Sequence, residues 1–318
     1  MANPSPKNHD PSIAALRAAT EARLAEVEAG IFDPMVFTSK ALVETTLPHS
    51  KRAGKELTLV NGDITVTMYS RLGLPYGTYP RLILMWLTRE ALRRRHLPIE
   101  EARVIPLCGN LAKFMRDIGI KTTSGGKRGT ITTLREQMER LFTTTIGRDI
   151  NGYSHDLQSR ELENQLIAEI THLWWDPKAE GEVDFDGSIT LSIAFYRELI
   201  SSAVPLDAAI VGKLRRFCLA LDLYAWLTYR MSYLRSITVV TWDQLRGQFG
   251  AGYPDTPQGK QDFKKKIRAA YARVVEAWPE VTAGITANGL MLKPGAPSVA
   301  RKSGEEIYRP SADGAAPF

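Results

Sequence analysis

Apolar residues recur along the chain at two periods, and each period marks a different element. Ile131, Leu134, Met138 and Leu141, spaced three, four and three apart, predict a helix over 131–142. Leu82, Ile83, Trp86, Leu87 and Ala91 give a broad apolar face to a helix that starts at Pro80, a residue suited to the first helical position. Phe263, Ile267, Ala270, Tyr271 and Val274 mark another helix over 261–278. The same spacing predicts helices over 12–29, 111–119, 193–200 and 216–234, one that begins at 205–207, and one over 241–249 with Thr241 as its cap. Period-two alternation in Ile64-Thr-Val-Thr-Met68 predicts a strand, with shorter strands over 104–107, 166–174, 189–191 and 238–240. Asn288-Gly289 between 281–286 and 290–293 is a two-residue hairpin signal. Residues 143–148, a turn near Asn151-Gly152 and 166–174 read as a hairpin wing, and 37–61 reads as a loop carrying the mobile basic stretch Lys51-Arg52-Ala-Gly-Lys55.

The elements come round twice. Each half reads long helix, short strand, short helix, glycine loop, basic helix, hairpin, and Trp86-Leu-Thr88 reappears as Trp226-Leu-Thr228 at the same place in the long helix. Gly119 lies eleven residues before Thr130, and Gly250 lies eleven before Gln261. The expected fold class is therefore α+β, mostly helical, with tandem winged-helix (helix-turn-helix) domains. Residues 1–55 form an N-terminal extension with one helix over 12–29. Residues 56–175 form a first winged-helix domain, 182–294 a second, and 295–318 a disordered tail. The stretch Trp174-Trp-Asp-Pro-Lys-Ala-Glu-Gly181 is the expected linker.

Charge sharpens this picture. Lys and Arg exceed Asp and Glu by 41 to 35, a net +6 over 318 residues. The excess is local: 113–140 holds seven cations against three acids, and 260–277 holds six against two. Both stretches contain the helix expected to enter a DNA groove. In the first, Ser124-Gly-Gly-Lys-Arg-Gly-Thr130 leads into the helix with Thr130 as N-cap. Lys127, Arg128 and Thr130 sit where a helix N-terminus favours phosphate. Thr132 and Arg135 lie off the core stripe, where they reach bases. In the second, the candidates are Lys264, Lys265 and Arg268, with Lys260 ahead of them, and Arg148 is a further candidate on the wing. Arg93-Arg-Arg95 reads instead as a solvated helix end matched to the helix dipole.

Several chemistries are excluded by pattern. Lys121 to Arg128 resembles a phosphate-binding loop, but Gly126-Lys127 is followed by Arg128, Lys121 stands where glycine is needed, and a helix precedes it. The five histidines, His9, His49, His96, His155 and His172, include no pair two or four apart, so neither a zinc protease nor a metal-dependent nickase is indicated. Two cysteines, Cys108 and Cys218, make no disulfide framework. No run reaches the length of a membrane span, and the N-terminus lacks a signal-peptide core. The expectation is a non-enzymatic, cytoplasmic protein without catalytic residues, metal or cofactor. The competing readings are a transcriptional repressor on the same fold and a nicking or primase-like enzyme.

Three stretches resemble the RepA-type plasmid replication initiators: Leu72-Gly-Leu-Pro-Tyr-Gly-Thr-Tyr-Pro-Arg-Leu-Ile-Leu-Met-Trp-Leu-Thr88, Ser124-Gly-Gly-Lys-Arg-Gly-Thr130 and Ala220-Leu-Asp-Leu-Tyr-Ala-Trp-Leu-Thr-Tyr-Arg230. The resemblance spans about residues 60–294 and includes Leu290-Met-Leu-Lys-Pro294. It implies binding to repeated sites in double-stranded plasmid origin DNA and opening of an adjacent AT-rich region. It further implies recruitment of the host initiator and replicative helicase, autorepression and copy-number control, and exchange between monomer and homodimer.

Overall fold

The computed structural model describes residues 35–44, 46–61, 64–107, 114–115, 118–120, 124, 126, 129–154, 157–174, 186–295 and 298–299. The helix expected over 12–29, most of that over 111–119, the expected linker after Trp174, Lys127 and Arg128 lie outside them. The fold is α+β with several antiparallel sheets.

The chain starts with β1 (Met35–Ser39), the short helix α1 (Lys40–Glu44), β2 (Glu56–Asn61) and β3 (Ile64–Ser70). The segment 37–61 is thus not one loop. Leu57 and Leu59 are buried while Thr58 and Val60 are exposed, the alternation of a strand that covers a core on one side. Next come α2 (Thr78–Arg93), the single turn α3 (Ile99–Ala102), β4 (Val104–Pro106) and α4 (Thr130–Phe142). Then follow β5 (Thr144–Ser154), β6 (Leu157–Leu166), β7 (Ala168–Trp174) and β8 (Asp186–Leu191). The remaining elements are α5 (Ile193–Ser201), β9 (Ala203–Asp207), α6 (Ala208–Leu214), α7 (Cys218–Tyr233), β10 (Thr238–Thr241), α8 (Trp242–Phe249), α9 (Pro257–Ala277), β11 (Ala283–Ile285) and β12 (Gly289–Leu292). Pro205-Leu-Asp207, expected to start a helix, ends strand β9 instead. The Asp207 carboxylate then caps α6 by accepting from the N–H groups of Ala209 and Ile210.

The element order recurs in three dimensions. After α2, the sheet runs β4-β8-β7; after α7, it runs β10-β12-β11. In both, the strand that follows the long helix pairs with the last strand of its half, and the middle strand in sequence lies at the far edge. The repeated tryptophans also do the same work. Trp86 meets Phe114 edge-on at 5.0 Å and 87°, and Trp226 meets Phe249 at 5.7 Å and 84°. The two halves differ by an insertion. After α4 the chain makes the long hairpin β5-β6, which joins β2 and β3 in the four-stranded sheet β2-β3-β5-β6 before β7 begins. The expected wing of 143–148 with 166–174 is therefore corrected: the hairpin pairs 144–154 with 157–166, and β7 pairs with β8. Residues on both sides of the expected linker share the sheet β4-β8-β7.

A single apolar core runs through both halves, from Val43 to Leu292. The long helices α2 and α7 are buried on nearly every side, as expected of helices apolar all round. Their N-terminal ends meet. The displacement that carries Trp86 onto Trp226 also carries Thr78 onto Cys218, and the Thr78 hydroxyl lies 3.2 Å from the Cys218 sulfur. One turn further in, the buried Arg81 guanidinium grips Asp222 through Nε and Nη2, both at 2.6 Å. Its other hydrogen bonds go to the carbonyls of Leu47 and Gly77, each at 2.6 Å, and to that of Pro48 at 3.4 Å. His49 Nε2 lies 2.9 Å from the same carboxylate. Burial alone would raise the Asp222 carboxyl, but the charge and hydrogen bonds of Arg81, with His49, hold it below the ordinary carboxylate range.

Local capping agrees with sequence at α8. The Thr241 side chain accepts from Gln244 N, and the Gln244 side chain accepts from Thr241 N, a complete capping box. Thr241→Ala is expected to cost about 1 kcal/mol in denaturant unfolding. An unchanged midpoint would show that Gln244 holds the turn alone.

Of the tail expected to be disordered, 295 and 298–299 are described, and the Ser298 hydroxyl lies 2.8 Å from that of Tyr224. The rest of the tail lies outside the described residues.

Candidate nucleic-acid interface

α9 starts earlier than its apolar stripe suggested. Thr256 caps it by accepting from Gly259 N at 3.1 Å, and Pro257 occupies the first turn. Gly259 is required there: a Cβ would meet the Pro254 carbonyl oxygen at 2.2 Å. Phe263, Ile267, Ala270 and Val274 are buried, so at 100° per residue the row Gln261, Lys265, Arg268 and Ala272 points away from the core. All four are exposed. Lys265 makes no ion pair with a described carboxylate. Lys264 and Arg268 hold their charges over the ring of Trp242, at 5.6 and 5.1 Å from its centroid. Lys260 pairs with Asp255 at 3.5 Å, and Asp255 also accepts Arg246 at 3.1 Å.

The outward cations of α9 thus divide in two: Lys265 projects into solvent, while Lys264 and Arg268 are laid against an aromatic face. On the opposite flank Arg273 packs on the Phe217 ring at 3.7 Å. The charge count singled out Lys260, Lys264, Lys265 and Arg268. It missed Gln261, a polar residue in the same outward row, and Trp242, which no charge or spacing rule marks.

α4 differs in detail. Its N-cap is Gly129, not Thr130, which is the first helical residue. Thr130 instead ties down the preceding turn: its N–H donates to Ser124 Oγ at 3.1 Å, and its hydroxyl accepts from Ser124 N at 2.9 Å. The Thr132 hydroxyl donates to the Gly126 carbonyl at 2.8 Å. Gly126 has φ 83°, the left-handed conformation that favours glycine. Opposite the buried Leu134, Met138 and Leu141, the outward row is Thr132, Glu136 and Glu139. Arg135 pairs with Glu139 at 3.5 Å, and Arg140 with Glu136 at 2.9 Å. The body of α4 is therefore charge-compensated where α9 is cationic.

Arg148 is not on a wing. It lies in β5, between β3 and β6, and its guanidinium pairs with Glu44 at 2.5 Å and with Glu163 at 3.7 Å. Its charge is thus offset by two carboxylates within the fold. Of the arginine run at the end of α2, Arg94 donates to the carbonyls of Glu101 at 3.0 Å and Ala102 at 3.4 Å, so it bridges to α3.

Among the described residues no group of three or more His, Cys, Asp or Glu is placed to hold a metal ion. None of the described helices is long and apolar enough to cross a membrane.

The family profile described as "Plasmid encoded RepA protein" matches residues 74–244, more than half of the 318-residue chain. The chain belongs to that family. No curated protein matches it. Two crystal structures of domains 2 and 3 of RctB are similar, each at 13% identity. The first covers 73% of this chain and 83% of its own at a TM-score of 0.45, and the second covers 71% and 80% at 0.42.

Proposed function

We propose that the chain is a plasmid replication initiator: it binds repeated sites in double-stranded origin DNA, opens the adjacent duplex and recruits the host initiator and replicative helicase. The observation that carries this reading is the family match over 74–244, which takes in α2, α4, α7 and the first residues of α8. The recurrence of a long helix, a strand, a later amphipathic helix and a closing strand pair, with the same strand order in both sheets, supports two winged-helix units. In that layout α4 and α9 are the recognition helices. The cationic outward face of α9 supplies the attraction to phosphate.

Initiation in this form needs no bond-making or bond-breaking by the protein itself. It acts without cofactor, in the bacterial cytoplasm, and a homodimeric form belongs to the same reading. Unstacking DNA costs a few kcal/mol per step, and binding to several repeats offsets it. The second reading is a winged-helix repressor without initiator activity, which would use the same DNA-binding surface.

Footprinting on supercoiled plasmid with single-strand-specific modification separates the two. An initiator protects several direct repeats and makes bases reactive in the neighbouring AT-rich stretch. Protection of one promoter palindrome with no reactive bases would establish the repressor instead.

A further inference from the structure

We propose that Trp242 is a positioning residue for DNA recognition, fixing two cations of α9 and the tip of the β11–β12 hairpin in one arrangement. The inference rests on α9 being the DNA-facing helix. Trp242 is the first residue of α8 and is only 6% exposed, yet it touches two separate parts of the expected DNA-binding unit, α9 and the β11–β12 hairpin. The Lys264 ammonium and the Arg268 guanidinium lie over its ring, 5.6 and 5.1 Å from the centroid. The indole N–H donates to the Ala287 carbonyl at 2.8 Å, and the Trp242 backbone N–H donates to the Asn288 carbonyl at 3.1 Å. Ala287 and Asn288 form the exposed turn of the hairpin.

Each contact limits a different freedom. Lys and Arg are long side chains with many rotamers, and an aromatic face that holds both charges removes much of that freedom before DNA arrives. The indole hydrogen bond fixes the hairpin turn relative to the start of α8. A phosphate tolerates a mobile cation, because attraction to phosphate carries no sequence information, whereas a base edge requires a defined direction. Loss of Trp242 should therefore reduce discrimination more than general affinity.

The test uses the full chain with two duplexes, one carrying the plasmid's origin repeats and one of scrambled sequence. Trp242→Leu removes the ring and the N–H donor, and Trp242→Phe keeps an aromatic face alone. The origin-to-scrambled affinity ratio should fall by about tenfold in Trp242→Leu, given the strength of two cation–π contacts. It should fall by only about two- to threefold in Trp242→Phe, with affinity for the scrambled duplex unchanged in both. A purely structural role would lower the melting temperature and leave the ratio of the folded fraction intact, which would overturn the proposal.

Should Trp242→Leu fail to fold, Trp242→Phe decides: a wild-type ratio overturns the proposal, and a reduced ratio supports it. Lys264→Ala with Arg268→Ala tests the underlying reading separately. If that double variant binds both duplexes like wild type, α9 is not the DNA-facing helix and the proposal falls with it. If it loses origin binding while both Trp242 variants keep the wild-type ratio, only the positioning role is refuted.

Discussion

Arg81→Met is expected to lower the free energy of unfolding by about 3–5 kcal/mol, because it leaves the Asp222 carboxylate buried without its cation. The two side chains are 5% and 11% exposed, so little water is at hand to replace the lost partner. Three backbone carbonyls, of Leu47, Pro48 and Gly77, would also lose their donor. Replacing both partners, as Arg81→Met with Asp222→Leu, should cost much less, since no charge remains to be desolvated. Denaturant titrations of the wild type, the single variant and the double variant measure the difference. Equal losses in the single and double variants would show that packing, and not charge, sets the cost.

The pair also fixes an acid dependence. Folding lowers the Asp222 pKa, so its stabilisation is complete above the unfolded carboxylate value of about 3.9. It is lost as pH falls through the lower folded value. In the double variant the part of acid destabilisation due to Asp222 should vanish.

Replacing Lys264, Lys265 and Arg268 by alanine together is expected to lower origin affinity by roughly 10²–10³-fold near 0.1 M salt, as the phosphate contact of Lys265 and two base-directed cations are lost together. The slope of log affinity against log salt should become shallower by about 0.9 for the Lys265 phosphate contact. Arg135→Ala, by contrast, should change the slope by well under one contact, because Glu139 lies 3.5 Å from that guanidinium and already offsets its charge. Fluorescence anisotropy across a salt series on one origin duplex measures both. Equal slope changes for Arg135→Ala and Lys265→Ala would mean that α4 approaches the backbone as closely as α9 does.

The long helices were legible because their apolar residues repeat at helical spacing and their tryptophans recur. The C-terminal hairpin and the Thr241 cap were also legible, since both depend only on residues close in sequence, but the turn falls at Ala287-Asn288, between Thr286 and Gly289, one residue before the expected Asn288-Gly289. Strand β2 is hard to read from sequence, because Val60 breaks the alternation of Leu57 and Leu59 with Glu56 and Thr58 and the Lys51 to Lys55 stretch before it reads as loop. The start of α9 was signalled by Thr256-Pro257 and obscured by Gly259. A glycine in a first helical turn suggests a loop until its close approach to Pro254 is known.

The place of β5-β6 in the sheet could not be read locally, for its partner strand β3 lies far upstream in sequence. For the candidate site, sequence located the cations but not their surroundings. Arg148 looked like the other candidates until Glu44, 104 residues away, was found beside it. Arg135 and Lys265 look alike in sequence, and the nearby carboxylate of Glu139 separates them.

The contact between Thr78 and Cys218 joins positions that the internal repeat makes equivalent. Such a self-matching contact is what an isologous interface places on its two-fold axis, here within one polypeptide. In a homodimer, a residue changed on one side of the axis is changed on the other. Covalent fusion removes that constraint. One half can then keep carboxylates on its outward helix while the other gathers lysine and arginine, so that a single chain carries two unlike helix faces.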